Sequence, residues 1–232
     1  MTPWTARATS ARMWGMSLAL AVFLTVVTAA DIWVSGLFFD TDTAQWVQRG
    51  PVLQFMRSGM PPLIIGGLLF VLLVWLGARI TSAPVWDITG RKIGYLIISL
   101  IAGPGLIVES ILKSWSGRAR PRDVDLFGGG DAFTPALWLG DACEKNCSFV
   151  SGHAALGFWT TAFAFLLPAE ARTPAFAGGV AVGILMGLAR MAEGAHFFSD
   201  IVYAGVIVVG LNVWLARKLI PSAPSTETGD GA

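Results

Sequence analysis

Long apolar stretches separated by short polar intervals dominate the chain, and six of them reach the length of a membrane crossing, which takes about 20 mostly apolar residues in a helix. They run near Met13 to Ala30, Gly59 to Ala78, Ile93 to Leu112, Gly152 to Pro168, Pro174 to Met191 and Asp200 to Leu215. The pattern predicts an all-α, polytopic membrane bundle of six transmembrane helices. Only the turn around Glu170 and Arg172 separates the fourth stretch from the fifth, so these two form an antiparallel hairpin. The membrane domain is expected over residues 1–219. The polar, small-residue tail from 220 to 232 reads as disordered.

Within the apolar stretches, small residues and proline mark special packing. Gly103-Pro104-Gly105 predicts a kink in the third helix, because proline removes a backbone donor. Ala175, Gly179, Gly183 and Gly187 recur every fourth residue along the fifth and allow close helix approach, which favours burial inside the bundle over a dimer interface. At the N-terminus, Arg7 and Arg12 precede an apolar run ending in Thr28-Ala29-Ala30, the outline of a signal peptide. Apolar character continues through Ile32, Trp33, Val34, Leu37 and Phe38, which favours a retained anchor.

Composition sharpens this reading. The 232 residues are 54% hydrophobic and 13% charged, about half the charged share of a soluble domain. A net charge of +1 gives no case for nucleic acid as a partner. Ten tryptophans fit the membrane interface. Trp33, Phe38, Phe39, Trp46 and Phe55, spread through the first outer loop, read equally as a lipid-entry surface and as an aromatic belt.

Against this background the polar clusters are few. The first is KSWSGRARP, with Lys113, Arg120 and Pro121; the second is Ser151-Gly152-His153; the third joins Arg190, His196 and Asp200. His153 and His196 are the only 2 histidines. Counting crossings puts all three clusters on one membrane face, as a composite site requires.

Their residue types suit phosphoryl chemistry. Lys113 offers a point charge and Arg120 a planar fork of donors, although a lysine at a helix end also snorkels to headgroups as a matter of course. Glu109, one turn earlier, is expected to pair with Lys113. Ser151 can cap the fourth helix while the amides of Gly152 and His153 face an anion. His196 and Asp200 stand four apart, so the carboxylate can hold one imidazole nitrogen and leave the other as a nucleophile. Glu193 is a solvated loop residue or a partner of Arg190. Gly128-Gly129-Gly130 lacks the Gly-Lys-Ser/Thr of a P-loop and reads as a flexible segment over the site.

The clusters resemble the signature of the type 2 phosphatidic acid phosphatase superfamily, K-x6-R-P, P-S-G-H and S-R-x5-H-x3-D. Lys113, Arg120 and Pro121 match the first part intact. Val150 replaces the proline of the second, and Ala189 the serine of the third. The resemblance implies that His196 attacks phosphorus to give a phosphohistidine, that Asp200 orients it, and that His153 protonates the leaving oxygen and later activates water. It further implies that Lys113, Arg120, Ser151, Gly152 and Arg190 hold the phosphoryl oxygens across the active segment 113–200, with no metal and no other cofactor.

A site at the membrane face suits a lipid phosphate substrate. The context CSFVSGH resembles bacterial lipid A phosphatases, with phosphatidylglycerophosphate, phosphatidate and polyprenyl pyrophosphate as other candidates. Phosphoryl transfer to a second lipid and binding or transport without cleavage are the alternatives; vanadate-dependent oxidation fits a membrane architecture less well. Lys and Arg divide evenly between the two faces, so the positive-inside rule ties. Setting aside Lys113, Arg120 and Arg190 points the site away from the cytoplasm, toward the periplasm of a bacterial inner membrane. In that compartment Cys143 and Cys147 are expected to form a disulfide. Nothing in the pattern assigns an oligomeric state.

Overall fold

The computed structural model describes residues 26–47, 50–81 and 88–220. Arg7 and Arg12 of the signal-peptide outline, most of the first predicted crossing and nearly all of the tail lie outside them. Among the described residues the fold is mostly helical. Helix α1 (Val26–Gly36) leads through a two-stranded hairpin, β1 (Phe39–Asp40) and β2 (Gln45–Trp46), into α2 (Pro51–Thr81) and α3 (Gly90–Trp115). After a long ordered loop come the short helices α4 (Gly152–Trp159) and α5 (Thr161–Ala164), then α6 (Ala169–Ala192) and α7 (Phe198–Leu219).

Four of these, α2, α3, α6 and α7, are long and apolar enough to cross a membrane. The predicted fourth crossing is the broken pair α4 and α5, which at 1.5 Å per residue is shorter than the roughly 30 Å hydrocarbon layer. It lies in the middle of the bundle, packed against α6, α7 and α3. A helix enclosed by other helices need not match the bilayer, because its ends meet protein and not lipid. The apolar run there records burial.

Close approach makes this arrangement work. A Cβ on Gly157 would come within 2.8 Å of the Gly183 Cα, and one on Gly179 within 2.6 Å of the Thr161 nitrogen. The small-residue stripe of α6 is therefore the surface on which α4 and α5 lie. Polar bonds tie the same helices together inside the apolar core: Trp159 Nε1 donates to Ser99 Oγ at 2.9 Å, and Asn212 Nδ2 to Thr161 Oγ1 at 2.9 Å. By contrast, Leu69, Phe70 and Leu73 of α2 and Val206 and Trp214 of α7 are exposed, forming apolar faces suited to lipid.

Two local features bear on the expectations, and the second departs from the expected flexible segment. Gly103-Pro104-Gly105 lies within a π-helical stretch, Ile101–Leu112, that carries α3 past the proline, so the missing donor is absorbed by wider winding. The three glycines at 128–130 form a tight turn: Gly128 is left-handed at φ 82°, and the Gly129 amide donates to Val124 O at 2.9 Å. A Cβ on Gly129 would collide with the Asp123 carbonyl, so glycine is required by a close approach.

Candidate active site

The three polar clusters meet at one end of the bundle. The loop 116–151 folds over the start of α7, and its backbone binds the segment that carries His196. Ser151 N donates to Asp200 O at 3.2 Å and Arg122 N to Gly194 O at 3.0 Å, while within the loop Ser148 N donates to Arg118 O at 2.9 Å. Trp46 of the hairpin stacks edge-on with Phe127 and against Phe39, with centroids 5.2 Å apart in each pair, and covers Gly194. Two aromatics of the first loop thus brace the loop that carries His196, while Trp33 and Phe55 are exposed.

His196 is 2% exposed. Its Nδ1 lies 2.8 Å from the Ser148 carbonyl oxygen and 3.6 Å from Asp200 Oδ2. Here the structure departs from the expected carboxylate–imidazole bond, since the nearer acceptor is a backbone carbonyl. The chemical outcome is the same. A carbonyl only accepts, so Nδ1 carries the proton and Nε2 keeps the lone pair. Burial, opposed by the nearby Asp200 carboxylate, holds the His196 pKa down at about 4, so the ring is neutral near pH 7.

Asp200 is fully buried and heavily engaged. It accepts from Ser148 Oγ at 2.5 Å, from the Phe197 amide at 2.8 Å and from Arg118 Nη1 at 2.6 Å. The Phe197 contact satisfies an open amide at the start of α7. Arg118 is the residue that sequence reasoning passed over. It is 1% exposed, bridges Asp200 to Asp31 of α1 at 2.7 Å, donates to Ser199 Oγ and Thr134 O, and stacks 4.3 Å from the Phe197 ring. Asp31 in turn accepts from the amide and hydroxyl of Ser199. A carboxylate at the end of an apolar stretch was the available signal, because an ionisable group at such a position calls for a partner.

The expected phosphate ligands fall into three groups. Lys113 Nζ pairs with Glu109 at 2.9 Å and with Asn146 Oδ1 at 3.2 Å, and Arg120 Nη2 donates to Asn146 O at 2.7 Å. Both cations act electrostatically on His196. Ser151 Oγ accepts from Ala154 N at 3.4 Å as the cap of α4, and Gly152 abuts Glu109 and Lys113, with no space for a Cβ. Arg190 is turned onto Glu193, both of them buried, and its Nε has no hydrogen-bond partner among the described residues. His153 Nε2 lies 3.1 Å from Arg57 O and within electrostatic reach of Arg190 and Lys113.

Asn146 was also missed. It has a left-handed φ of 55°, within the turn closed by the Cys143–Cys147 disulfide. One residue thereby spans Lys113 and Arg120 with its side-chain and backbone oxygens. Among the described residues no group of His, Cys, Asp and Glu has the arrangement of a metal site. The donor set at His196 is instead cationic, the kind that meets an anion directly.

The chain has relatives among known proteins. The PAP2 superfamily profile matches residues 92–223. A lipid A 4'-phosphatase of Francisella tularensis subsp. novicida (strain U112) is 34% identical over 202 residues, 86% of this chain and 90% of that protein. Lipid A 4'-phosphatases of Rhizobium leguminosarum and Rhizobium etli are 38% and 39% identical over 112 and 111 residues; each match spans 48% of this chain, and 48% and 43% of theirs. No solved structure matches.

Proposed function

The chain belongs to the PAP2 superfamily, and we propose that it is a metal-independent lipid phosphatase that hydrolyses a phosphomonoester through a phosphohistidine, with lipid A as its leading substrate. The observation that carries the reading is a buried neutral His196, with its Nδ1 proton committed to Ser148 O, beside Lys113 and Arg120. The likeness to a lipid A 4'-phosphatase over most of both chains supports the choice of lipid.

In the first step, His196 Nε2 attacks phosphorus and the bond to the lipid oxygen breaks as His153 gives that oxygen a proton. In the second, His153 takes a proton from water, whose oxygen displaces the histidine and releases inorganic phosphate. Lys113, Arg120, Arg190, Ser151 and the Gly152 amide hold the equatorial oxygens, and their donors count most as charge develops. Asp200 stabilises the imidazole as it acquires positive character.

The proposed topology has six crossings of one domain over residues 1–219, with α4 and α5 as a short internal fourth passage. The disulfide beside the site supports an oxidising compartment, hence a periplasm-facing site in a bacterial inner membrane. Exposed Trp115, Leu137, Trp138 and Leu139 flank this end of the bundle and suit lipid headgroup depth.

The test is phosphate release by purified protein in detergent with EDTA, from lipid A, phosphatidylglycerophosphate, phosphatidate and polyprenyl pyrophosphate. Release from lipid A that survives EDTA and vanishes in His196→Ala is the expected result. Dependence on added metal, or release from none of the four, overturns the proposal.

A further inference from the structure

Beside Arg120, a cleft of about 310 Å³ is lined by Arg120, Arg122, Lys145, Asp123, Asp131 and Asn146, among others. That size lies at the small end of ligand pockets, which run from about 300 to 1,000 Å³. The hydrolytic steps above use only Arg120 from this set. We infer that the cleft is a headgroup subsite that recognises the hydroxyls and a second anionic group of the lipid whose phosphate is cleaved, a deepening that rests on the lipid phosphatase reading.

Three observations carry the assignment. First, the charges are of two kinds. Arg122 and Lys145 add cations beyond those at the scissile phosphate, while Asp123 and Asp131 are acceptors of the type that bind sugar or glycerol hydroxyls. A bare phosphate needs no carboxylates beside it, and repels them. Second, they are not consumed by one another. The described ion pair among them is Arg122 Nε to Asp123 Oδ1 at 3.7 Å, at half-exposed side chains, a separation at which water competes effectively.

Third, the rim is held in place and registered to the catalytic residues. Asp131 N donates to Asp123 O at 2.9 Å and Asp125 N to Asp131 O at 2.8 Å, so the two carboxylates rise from one tight, glycine-closed turn. The amide of Arg122 donates to Gly194 O, two residues before His196. On the opposite wall, Asn146 bonds Arg120, and its turn is closed by the disulfide that also lines the cleft. A merely solvated charge cluster has no need of such bracing. A subsite that must sit at a set distance from a nucleophile does, since misplacing a bound headgroup moves its phosphate.

The experiment compares wild type with the pairs Arg122→Gln/Lys145→Gln and Asp123→Asn/Asp131→Asn in detergent on three lipids. Lipid A offers sugar hydroxyls and a second phosphate, phosphatidylglycerophosphate a glycerol hydroxyl and a phosphodiester, and phosphatidate neither. The cation pair is expected to lower kcat/KM on the first two by about 10-fold or more through KM, the loss of charge-assisted contacts, with phosphatidate unchanged. The carboxylate pair lowers lipid A turnover alone if its ligand is a sugar, and both headgroup-rich lipids if any hydroxyl serves; either pattern supports the subsite. Phosphatidate turnover in each variant reports an intact fold. Equal losses on all three lipids, or no loss on any, overturn the subsite while leaving the phosphatase standing. No release by wild type from any lipid removes the phosphatase reading, and the subsite with it.

Discussion

His196 Nδ1 lies closer to the Ser148 carbonyl, at 2.8 Å, than to the Asp200 carboxylate, at 3.6 Å. The division of labour matters. In a triad where a carboxylate alone sets the tautomer, Asp→Asn costs about 10⁴ in kcat because the proton moves to the wrong nitrogen. Here a backbone carbonyl, which no substitution removes, keeps the proton on Nδ1. Asp200→Asn is therefore expected to lower kcat by about 10²-fold, the smaller loss of charge stabilisation, with KM little altered. Steady-state kinetics on lipid A measures it; a loss as large as that of His196→Ala would give the tautomer role back to Asp200.

Arg118 neutralises two buried carboxylates, Asp31 and Asp200. Removing one partner of a buried ion pair costs about 3–5 kcal/mol, chiefly because a charge is left uncompensated. Arg118→Met should lower thermal stability in detergent sharply. Asp31→Asn should be milder, since Asp200 still pairs with the guanidinium. Adding Asp31→Asn to Arg118→Met should recover part of the loss, the signature of coupling in a double-mutant cycle. Strict additivity of the two changes contradicts the bridge.

The pH dependence at His196 has a definite sign. Its folded pKa is about 4, held down mainly by burial, against an ordinary 6.5. Below pH 6.5 the unfolded chain binds a proton here that the folded chain refuses. The stability associated with this group is thus complete above 6.5 and drains away as pH falls toward 4. With 2 histidines in the chain, ¹⁵N spectra of labelled wild type and His153→Gln assign the signals directly. The His196 ring should stay neutral at pH 5.5; titration near 6.5 contradicts its burial.

Asn146 ties Lys113 to Arg120 from a turn closed by Cys143 and Cys147. Opening that turn with Cys143→Ser/Cys147→Ser, or by reduction, should loosen both cations and raise KM by about 10-fold, on the scale of one hydrogen bond to a charged group, with kcat less affected. Asn146→Ala removes the Lys113 contact and keeps the backbone oxygen on Arg120, so it should raise KM less, and reduction should add to the loss. Unchanged KM in both variants sinks this role for the turn.

The legible part of the fold and site was the part written locally. Lys113, Arg120, Ser151, His196 and Asp200 stand at spacings that a linear pattern can hold, and crossing parity placed them at one end. Glu109 paired with Lys113 for the same reason, being one helical turn away. Arg118 and Asp31 were hidden because their bond joins residues 87 apart in sequence, and neither has a local motif. The fourth stretch hid its break and its short length because a buried helix and a lipid-facing one are equally apolar. Only length separates them, and Thr160 divides α4 from α5 without a proline or charge to announce it. Trp46 resembled an interface residue, yet its ring found Gly194, a contact that depends on the whole loop arrangement.

The most direct test of phosphoryl transfer through His196 is to trap the intermediate. Purified protein is mixed with lipid A carrying labelled phosphate, quenched within milliseconds in alkali, where a nitrogen–phosphorus bond survives, and digested for peptide mapping. Label should appear transiently on the peptide containing His196 and be absent in His196→Ala. Phosphate release without protein-bound label, label at another residue, or undiminished release by His196→Ala contradicts a phosphohistidine at this position.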